Sequence, residues 1–402
     1  MSRRGYFDYN ATTPVCREAI ETFHAVIDDF GNPSSKYGLA KSPKTLLKHA
    51  RVQVARLIGA QAEEVFFTSG GTEANNWAIK GALIARGAIG RNTTPAHIVV
   101  SKVEHSSVLA VAQHLERVFG FEVTRVAPDR EGLIRASAVV QSLRPNTQLA
   151  AIMLVNNEVG TVQPIADIAQ ALRDRGVHLH VDGVQAVGKM EIDVHGLGVD
   201  TLAFAGHKFY GPKGVGGLYV RSGVAVEPLI HGGGQEQGQR GGTESVAAIA
   251  AMGSAADATY AILPELVARL TEYRELLRAK LLERVPGVAF NGPSKAHELA
   301  PNTLSVRVDG VRAEALAAVL DNIHGIQVSL GSACSNNKAV SLSHVLQAMG
   351  LSESEIKATL RVSIGQYTEE ADLDSFATAV AEGVRMLHRI GQTGEPRRAV
   401  AA

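Results

Sequence analysis

The chain has 402 residues, with 40 basic and 40 acidic side chains, 45% hydrophobic residues and 20% charged ones. That balance excludes a disordered chain, which carries less apolar content and more uncompensated charge. It also argues against a protein that grips nucleic acid or anionic membrane through bulk charge. The length predicts one large domain plus a smaller one. Two cysteines, Cys16 and Cys334, stand far apart and form no disulfide framework. The first eight residues begin basic without reaching an apolar stretch, so no signal peptide is visible. The Ala-rich stretch 246–256, closed by Asp257, is too short to span a bilayer. These features predict a reduced, cytoplasmic protein in which a lone late cysteine is a candidate reagent.

From about residue 50 to 230, short apolar runs alternate with amphipathic stretches. The runs at 64–68, 97–101, 149–155, 177–181 and 201–205 predict buried strands, and 72–86 and 165–175 predict helices between them. That alternation predicts a mostly parallel sheet covered on both faces, with ligands at the carboxyl ends of its strands. Beyond Gly242 the pattern changes. The stretch 245–285 reads as two consecutive helices, 304–308 as an alternating strand and 312–322 as a helix, which sets up a smaller α+β domain.

Three strand ends carry chemistry. Thr68-Ser-Gly-Gly-Thr72-Glu73 joins a strand to a helix, where free backbone N–H groups and glycines favour a phosphate. Asp182 ends the run beginning at Val177, where a carboxylate can hold a protonated ring nitrogen. His178 and His180 share that strand's face, but no third ligand pattern accompanies them and a zinc site is not supported. The nearby Gly183…Gly188-Lys189 resembles a nucleotide-binding loop, yet Met190 stands where a magnesium-binding hydroxyl belongs, and that reading is rejected. Ala205-Gly-His207-Lys208 follows another buried strand and offers a lysine for Schiff-base chemistry. A lysine, a strand-end aspartate and a phosphate cradle together point to pyridoxal phosphate.

Further segments stand in an order that resembles the cysteine desulfurases: Tyr9-Asn-Ala-Thr-Thr-Pro14, Gly31-Asn-Pro-Ser-Ser35, Glu104-His105, Val155-Asn-Asn-Glu158, Asp182…Gln185, Gly206-His-Lys208, Arg240…Gly242-Thr-Glu244, Gly331-Ser-Ala-Cys334 and Ser343-His-Val-Leu346. The resemblance runs from about residue 6 to 375. It is to the nitrogen-fixation and iron–sulfur-cluster branch of the class-V aminotransferase group. It implies a fold-type I pyridoxal phosphate enzyme of the α/β class: a large domain with a mostly parallel seven-stranded sheet, and a smaller α+β C-terminal domain. The expected division is 16–260 for the cofactor-binding domain and 1–15 with 261–390 for the small domain carrying the cysteine loop. Residues 391–402 are expected to form a flexible tail.

The resemblance also assigns roles. Lys208 would hold pyridoxal phosphate as a Schiff base, and Asp182 would pair with the ring nitrogen. Gln185 and Asn157 would contact the ring oxygen, while His105 would stack on the ring and move protons. Gly71, Thr72 and His207 would cradle the phosphate, with Thr243 reaching in from the second subunit of a homodimer. Asn32 and Arg361 would bind the carboxylate of L-cysteine. Cys334, in a small polar glycine-containing stretch suited to a mobile loop, would take the sulfur as a persulfide while alanine leaves. The sulfur would pass to an acceptor protein, among which an iron–sulfur scaffold meeting Cys334 is one expectation. No direct nucleic-acid or membrane partner and no metal are expected. Cys16 reads as an ordinary buried residue. Ala205 stands where the family usually has a phosphate-bonding serine, and Gln366 where a basic residue is frequent. The competing activity is a selenocysteine lyase or another carbon–sulfur lyase that does without Cys334. A sulfur-delivery scaffold is the competing non-enzymatic reading.

Overall fold

The computed structural model describes residues 4–89, 95–330 and 342–393. Its strands are β1 (Val65–Thr68), β2 (His97–Ser101), β3 (Glu122–Val126), β4 (Thr147–Ala151), β5 (His178–Asp182), β6 (Thr201–Ala205), β7 (Gly216–Val220), β8 (Val288–Asn291), β9 (Thr303–Val308) and β10 (Thr359–Ser363). Seven of them form one sheet in the order β1-β7-β6-β5-β4-β2-β3. Strands β2 to β6 are mutually parallel, because a helix crosses over between each consecutive pair. Only the short segment 206–215 joins β6 to β7, so β7 returns antiparallel and pairs β1 on its other side.

β1, β2, β4, β5, β6 and β7 are fully or almost fully buried, which explains their continuous apolar runs. Strand β7 begins with Gly216-Gly217 and reads as a loop by sequence. A Cβ at Gly216 would lie 2.8 Å from the Gly70 Cα and 2.5 Å from the Phe204 carbonyl oxygen, so only glycine lets the strand enter beside the phosphate-type turn.

The second sheet is antiparallel, in the order β10-β9-β8. The N-terminal segment joins it through bridges from Tyr6 to Gln327 and from Asp8 to Ser363. The two helices expected across 245–285 are one helix, Val246–Arg284, with Pro264 inside it. Proline there deletes a helical hydrogen bond and costs about 3 kcal/mol. Burial of Leu263, Leu266, Leu270, Leu277 and Leu281 against the core carries the helix through. The boundary expected at residue 260 therefore falls within an unbroken element. This helix is long and apolar enough to cross a membrane by composition, but 56% of its apolar stretch is buried in the protein, as in a core helix.

Candidate active site

The carboxyl ends of the parallel strands open into a cavity of about 610 Å³. Lys208 leaves β6 on a short 3-10 turn, Gly206–Lys208, and lines the cavity. Its Nζ donates to the carbonyl oxygens of Asn10 at 2.6 Å and Ala11 at 2.8 Å. Burial lowers its pKa to about 8, Arg361 adding to the fall while Asp8 and Asp182 oppose it. The amine is therefore partly uncharged and nucleophilic near neutral pH.

The segment from Asn10 to Thr13, part of the Tyr9–Pro14 motif, holds this turn in place. Thr13 donates its N–H and its hydroxyl to the His207 carbonyl and accepts from the Tyr210 N–H. Tyr210 has a φ of 67°, an unfavourable backbone for a bulky residue that these bonds help to maintain.

Asp182 ends β5 and is buried. Its Oδ1 accepts from the Val184 N–H at 2.9 Å and its Oδ2 from Asn75 Nδ2 at 2.8 Å, the bonding of an ionised carboxylate. Gln185 follows on the same wall. Its Oε1 accepts from Lys189 Nζ at 2.6 Å, and its Nε2 donates one proton to the Asn10 carbonyl at 2.9 Å. A second Nε2 proton remains for a ligand oxygen. Lys189, rejected above as a nucleotide-binding lysine, thus orients Gln185. It is wholly buried, and burial pushes its pKa well below the usual range.

His105 caps the helix Ser106–Phe119 and faces the cavity. Enclosure by the wall holds its pKa below the ordinary histidine range, helped by Lys208 and His344 against the pull of Asp182. Glu104, beside it, is fully buried: its Oε1 accepts from Ser101 Oγ at 2.5 Å and the Met153 N–H at 2.7 Å, whereas Oε2 has no hydrogen-bond partner. Burial raises its pKa to about 8. The folded protein then binds more protons than the unfolded chain between about pH 4.5 and 8, so this group's contribution to stability falls as pH rises through that window. Glu104→Gln should flatten that fall, and denaturant midpoints at pH 5, 6.5 and 8 check it; an unchanged slope would show Glu104 ionised in the fold.

At the opposite end, the helix Gly71–Ala85 starts on the cavity, with Gly71 and Thr72 in the wall. A Cβ at Gly71 would come within 2.6 Å of Val184 Cγ2, so the glycine keeps the cradle open between these two turns. His207, its pKa lowered to about 4 by burial and by Lys208, Lys213 and Lys189, faces the same end as a neutral ring bonded to Thr12 Oγ1. Ala205 lies in this wall and contributes no hydroxyl.

Arg361 reaches the cavity from β10. Its Nη1 donates to the Asn157 carbonyl at 3.1 Å and its Nη2 to Asp8 Oδ1 at 2.7 Å, while its buried Nε has no partner. The guanidinium lines the cavity, and a planar fork of this kind suits a carboxylate. Asn157 also lines the cavity. Asn32 does not: its Oδ1 accepts from the Ser34 N–H, and the neighbouring Pro33 and Ser34 line a separate cavity beside Arg51 and Glu236. Thr243 is exposed and absent from the wall. Cys334 lies outside the described residues, and Cys16 is buried. The two histidines of β5 have their bonded ring nitrogens on Thr201 and Asn75.

An ionised carboxylate at one end, a helix start at the other and a partly uncharged lysine between them match the ring nitrogen, phosphate and aldehyde of pyridoxal phosphate. This is the chemistry and fold of a pyridoxal phosphate enzyme, and the chain belongs to the class-V aminotransferase family, which it matches over residues 5–376. It is 40% identical over 375 residues to the cysteine desulfurase IscS of Dictyoglomus turgidum, 93% of each chain being covered. A solved structure described as a NifS-like protein superposes with a TM-score of 0.87 at 33% identity, covering 96% of this chain and all of the other. Another, described as SspA in complex with cysteine, gives 0.77 at 36% identity over 91% of this chain and all of its own.

Proposed function

We propose that the chain is a pyridoxal-phosphate-dependent cysteine desulfurase, converting L-cysteine to L-alanine and passing the sulfur to Cys334. The observation that carries this reading is the convergence of Lys208, Asp182 and Arg361 on one cavity, together with the cysteine desulfurase relatives. When bound, pyridoxal phosphate supplies an aldehyde for the substrate amine and a protonated ring that accepts the electron pair released at Cα. Asp182 keeps that ring nitrogen protonated. Gln185, with Asn157 beside it, marks the ring-oxygen side, and Gly71, Thr72 and His207 take the phosphate. Arg361 binds the substrate carboxylate through guanidinium N–H groups that it releases from Asp8 or the Asn157 carbonyl. Lys208, an amine able to take a proton, and His105, able to give and recover one, line the cavity where protons must move. The balanced sulfur step is thiol plus substrate thiol giving persulfide plus the methyl group of alanine: the substrate C–S bond breaks, a C–H bond forms, and an S–S bond forms at Cys334.

The exposed Thr243 supports a homodimer in which each copy completes the other's phosphate site, and Asn32, turned away from its own cavity, would then need a rearranged segment to reach substrate. We assign 16–260 to a cofactor-binding domain and 1–15 with 261–390 to a small domain. The N-terminal bridges to Gln327 and Ser363 support that grouping. A cytoplasmic setting and a sulfur-acceptor protein, such as an iron–sulfur scaffold at Cys334, complete the proposal.

The test is alanine formation and protein-bound persulfide from L-cysteine. The wild type should yield both. Cys334→Ala should lose the persulfide and reduce turnover about 100-fold, since the thiolate is the sulfur-accepting nucleophile. Full alanine release by that variant would transfer the reading to a lyase, with selenocysteine the substrate to assay next.

A further inference from the structure

The two buried histidines of β5 have no part in the function just described, yet their hydrogen bonds lead into the cofactor wall. His178 Nε2 lies 3.0 Å from Thr201 Oγ1, and the same hydroxyl lies 3.0 Å from His180 Nδ1. His180 Nε2 lies 2.9 Å from Asn75 Oδ1. Asn75 Nδ2 lies 2.8 Å from Asp182 Oδ2 and 2.8 Å from Ser107 Oγ, and that serine hydroxyl lies 2.8 Å from His105 Nδ1.

Each donor in this chain follows from the one before. An ionised carboxylate only accepts, so Asn75 must turn its amino group to Asp182, and its second proton goes to Ser107. The Asn75 oxygen then faces His180, whose Nε2 must carry a proton. Burial keeps His180 and His178 neutral, with pKa values near 3 and 4. A neutral His180 accepts at Nδ1, which takes the single hydroxyl proton of Thr201, so His178 must donate to that oxygen from a protonated Nε2. On the other branch Ser107, having accepted from Asn75, gives its proton to His105 Nδ1. The Ser107 backbone N–H points at the same nitrogen from 3.2 Å. His105 is left with its proton on Nε2.

We infer that Asn75 is a positioning residue, held in one orientation between Asp182 and His180, that keeps a donor on the Asp182 carboxylate and sets His105 in its Nε2–H form through one amide group. The consequence for the reaction rests on the reading in the preceding subsection. If the amide turned over, its oxygen would face the Asp182 carboxylate and Ser107 would lose its donor, so the two cofactor contacts stand or fall together. A buried asparagine with all three of these contacts made has no freedom to turn without leaving polar groups unmatched, which is costly in a dry core.

The test uses the full-length holoenzyme labelled with 15N-histidine. Neutral His105, His178 and His180 should all carry their proton on Nε2. A proton on Nδ1 of His105 or of His180 overturns the relay without needing any variant. A second measurement compares binding of pyridoxal phosphate with that of its 1-deaza analogue, which lacks the ring nitrogen. In Asn75→Ala and His180→Leu, affinity for pyridoxal phosphate should fall about tenfold relative to wild type while affinity for the analogue changes far less. His180→Gln, which keeps a donor toward Asn75, should restore most of the difference. Equal losses for both ligands would reduce these residues to packing and overturn the inference. The stated tautomers in a protein without cysteine turnover would support the relay and overturn only the desulfurase reading.

Discussion

Lys208→Ala is expected to lower L-cysteine turnover about 10⁴-fold or more, because in the proposed reaction the amine would act both as the cofactor's anchor and as the group that moves protons at Cα. Lys208→Arg should be no better. A guanidinium stays charged and cannot condense with an aldehyde. The lowered pKa adds a signature that simple loss of activity lacks. Uptake of pyridoxal phosphate by the cofactor-free wild type should accelerate with pH through about 8, not 10.5. The same shift has a thermodynamic face. Between about pH 8 and 10.5 the unfolded chain binds the Lys208 proton and the fold does not, so stability of the cofactor-free protein rises with pH across that window. Lys208→Ala should remove that rise. Uptake tracking a pKa near 10 would mean that the amine is solvated, and the assignment of Lys208 would fail.

Part of the cavity wall is readable because several of its groups sit at or just past the end of a buried strand, where a short apolar run stops at a polar residue. Thr72, Asp182 and Lys208 come from such junctions. What could not be read are the contacts made across the sequence. Asn10 serves Lys208 and Gln185 with its carbonyl, Lys189 and Asn302 with its Oδ1, and Thr303 and Asn157 with its Nδ2. No local periodicity signals a residue whose partners lie up to 353 positions away, as Ser363, which accepts from the Asn10 N–H, does. Lys189 shows no role of its own in the sequence for a related reason. Its spacing resembles a nucleotide-binding loop that Met190 rules out, and what places it beside Gln185 is burial, a property of the packed fold. The glycines of β7 hid a strand because Gly216-Gly217 has low strand propensity. Its place between β1 and β6 is set by backbone clearance instead. The single helix across 246–284 differs from the expected pair because tertiary burial on both sides of Pro264 sustains a helix longer than local pattern predicts.

Asp182→Asn should lower kcat/KM for L-cysteine about 10³-fold, by two separable routes. The first is electrostatic. A carboxylate beside a ring nitrogen favours its protonated form, typically by 1–3 pKa units, and that form is the one able to take up the electron pair from Cα. The second is geometric. Both Asp182 oxygens already accept, from the Val184 N–H and from Asn75 Nδ2. An amide has one oxygen, so its amino group must face one of these donors or turn toward the ring nitrogen, where it would meet another N–H. Asp182→Asn should therefore weaken cofactor retention as well as turnover, whereas a purely electrostatic loss would leave retention near wild type. Absorbance of the bound cofactor from pH 6 to 9, with its dissociation rate on dilution, distinguishes the two. Turnover within tenfold of wild type would remove Asp182 from the chemistry and leave it as the anchor of the turn at Val184.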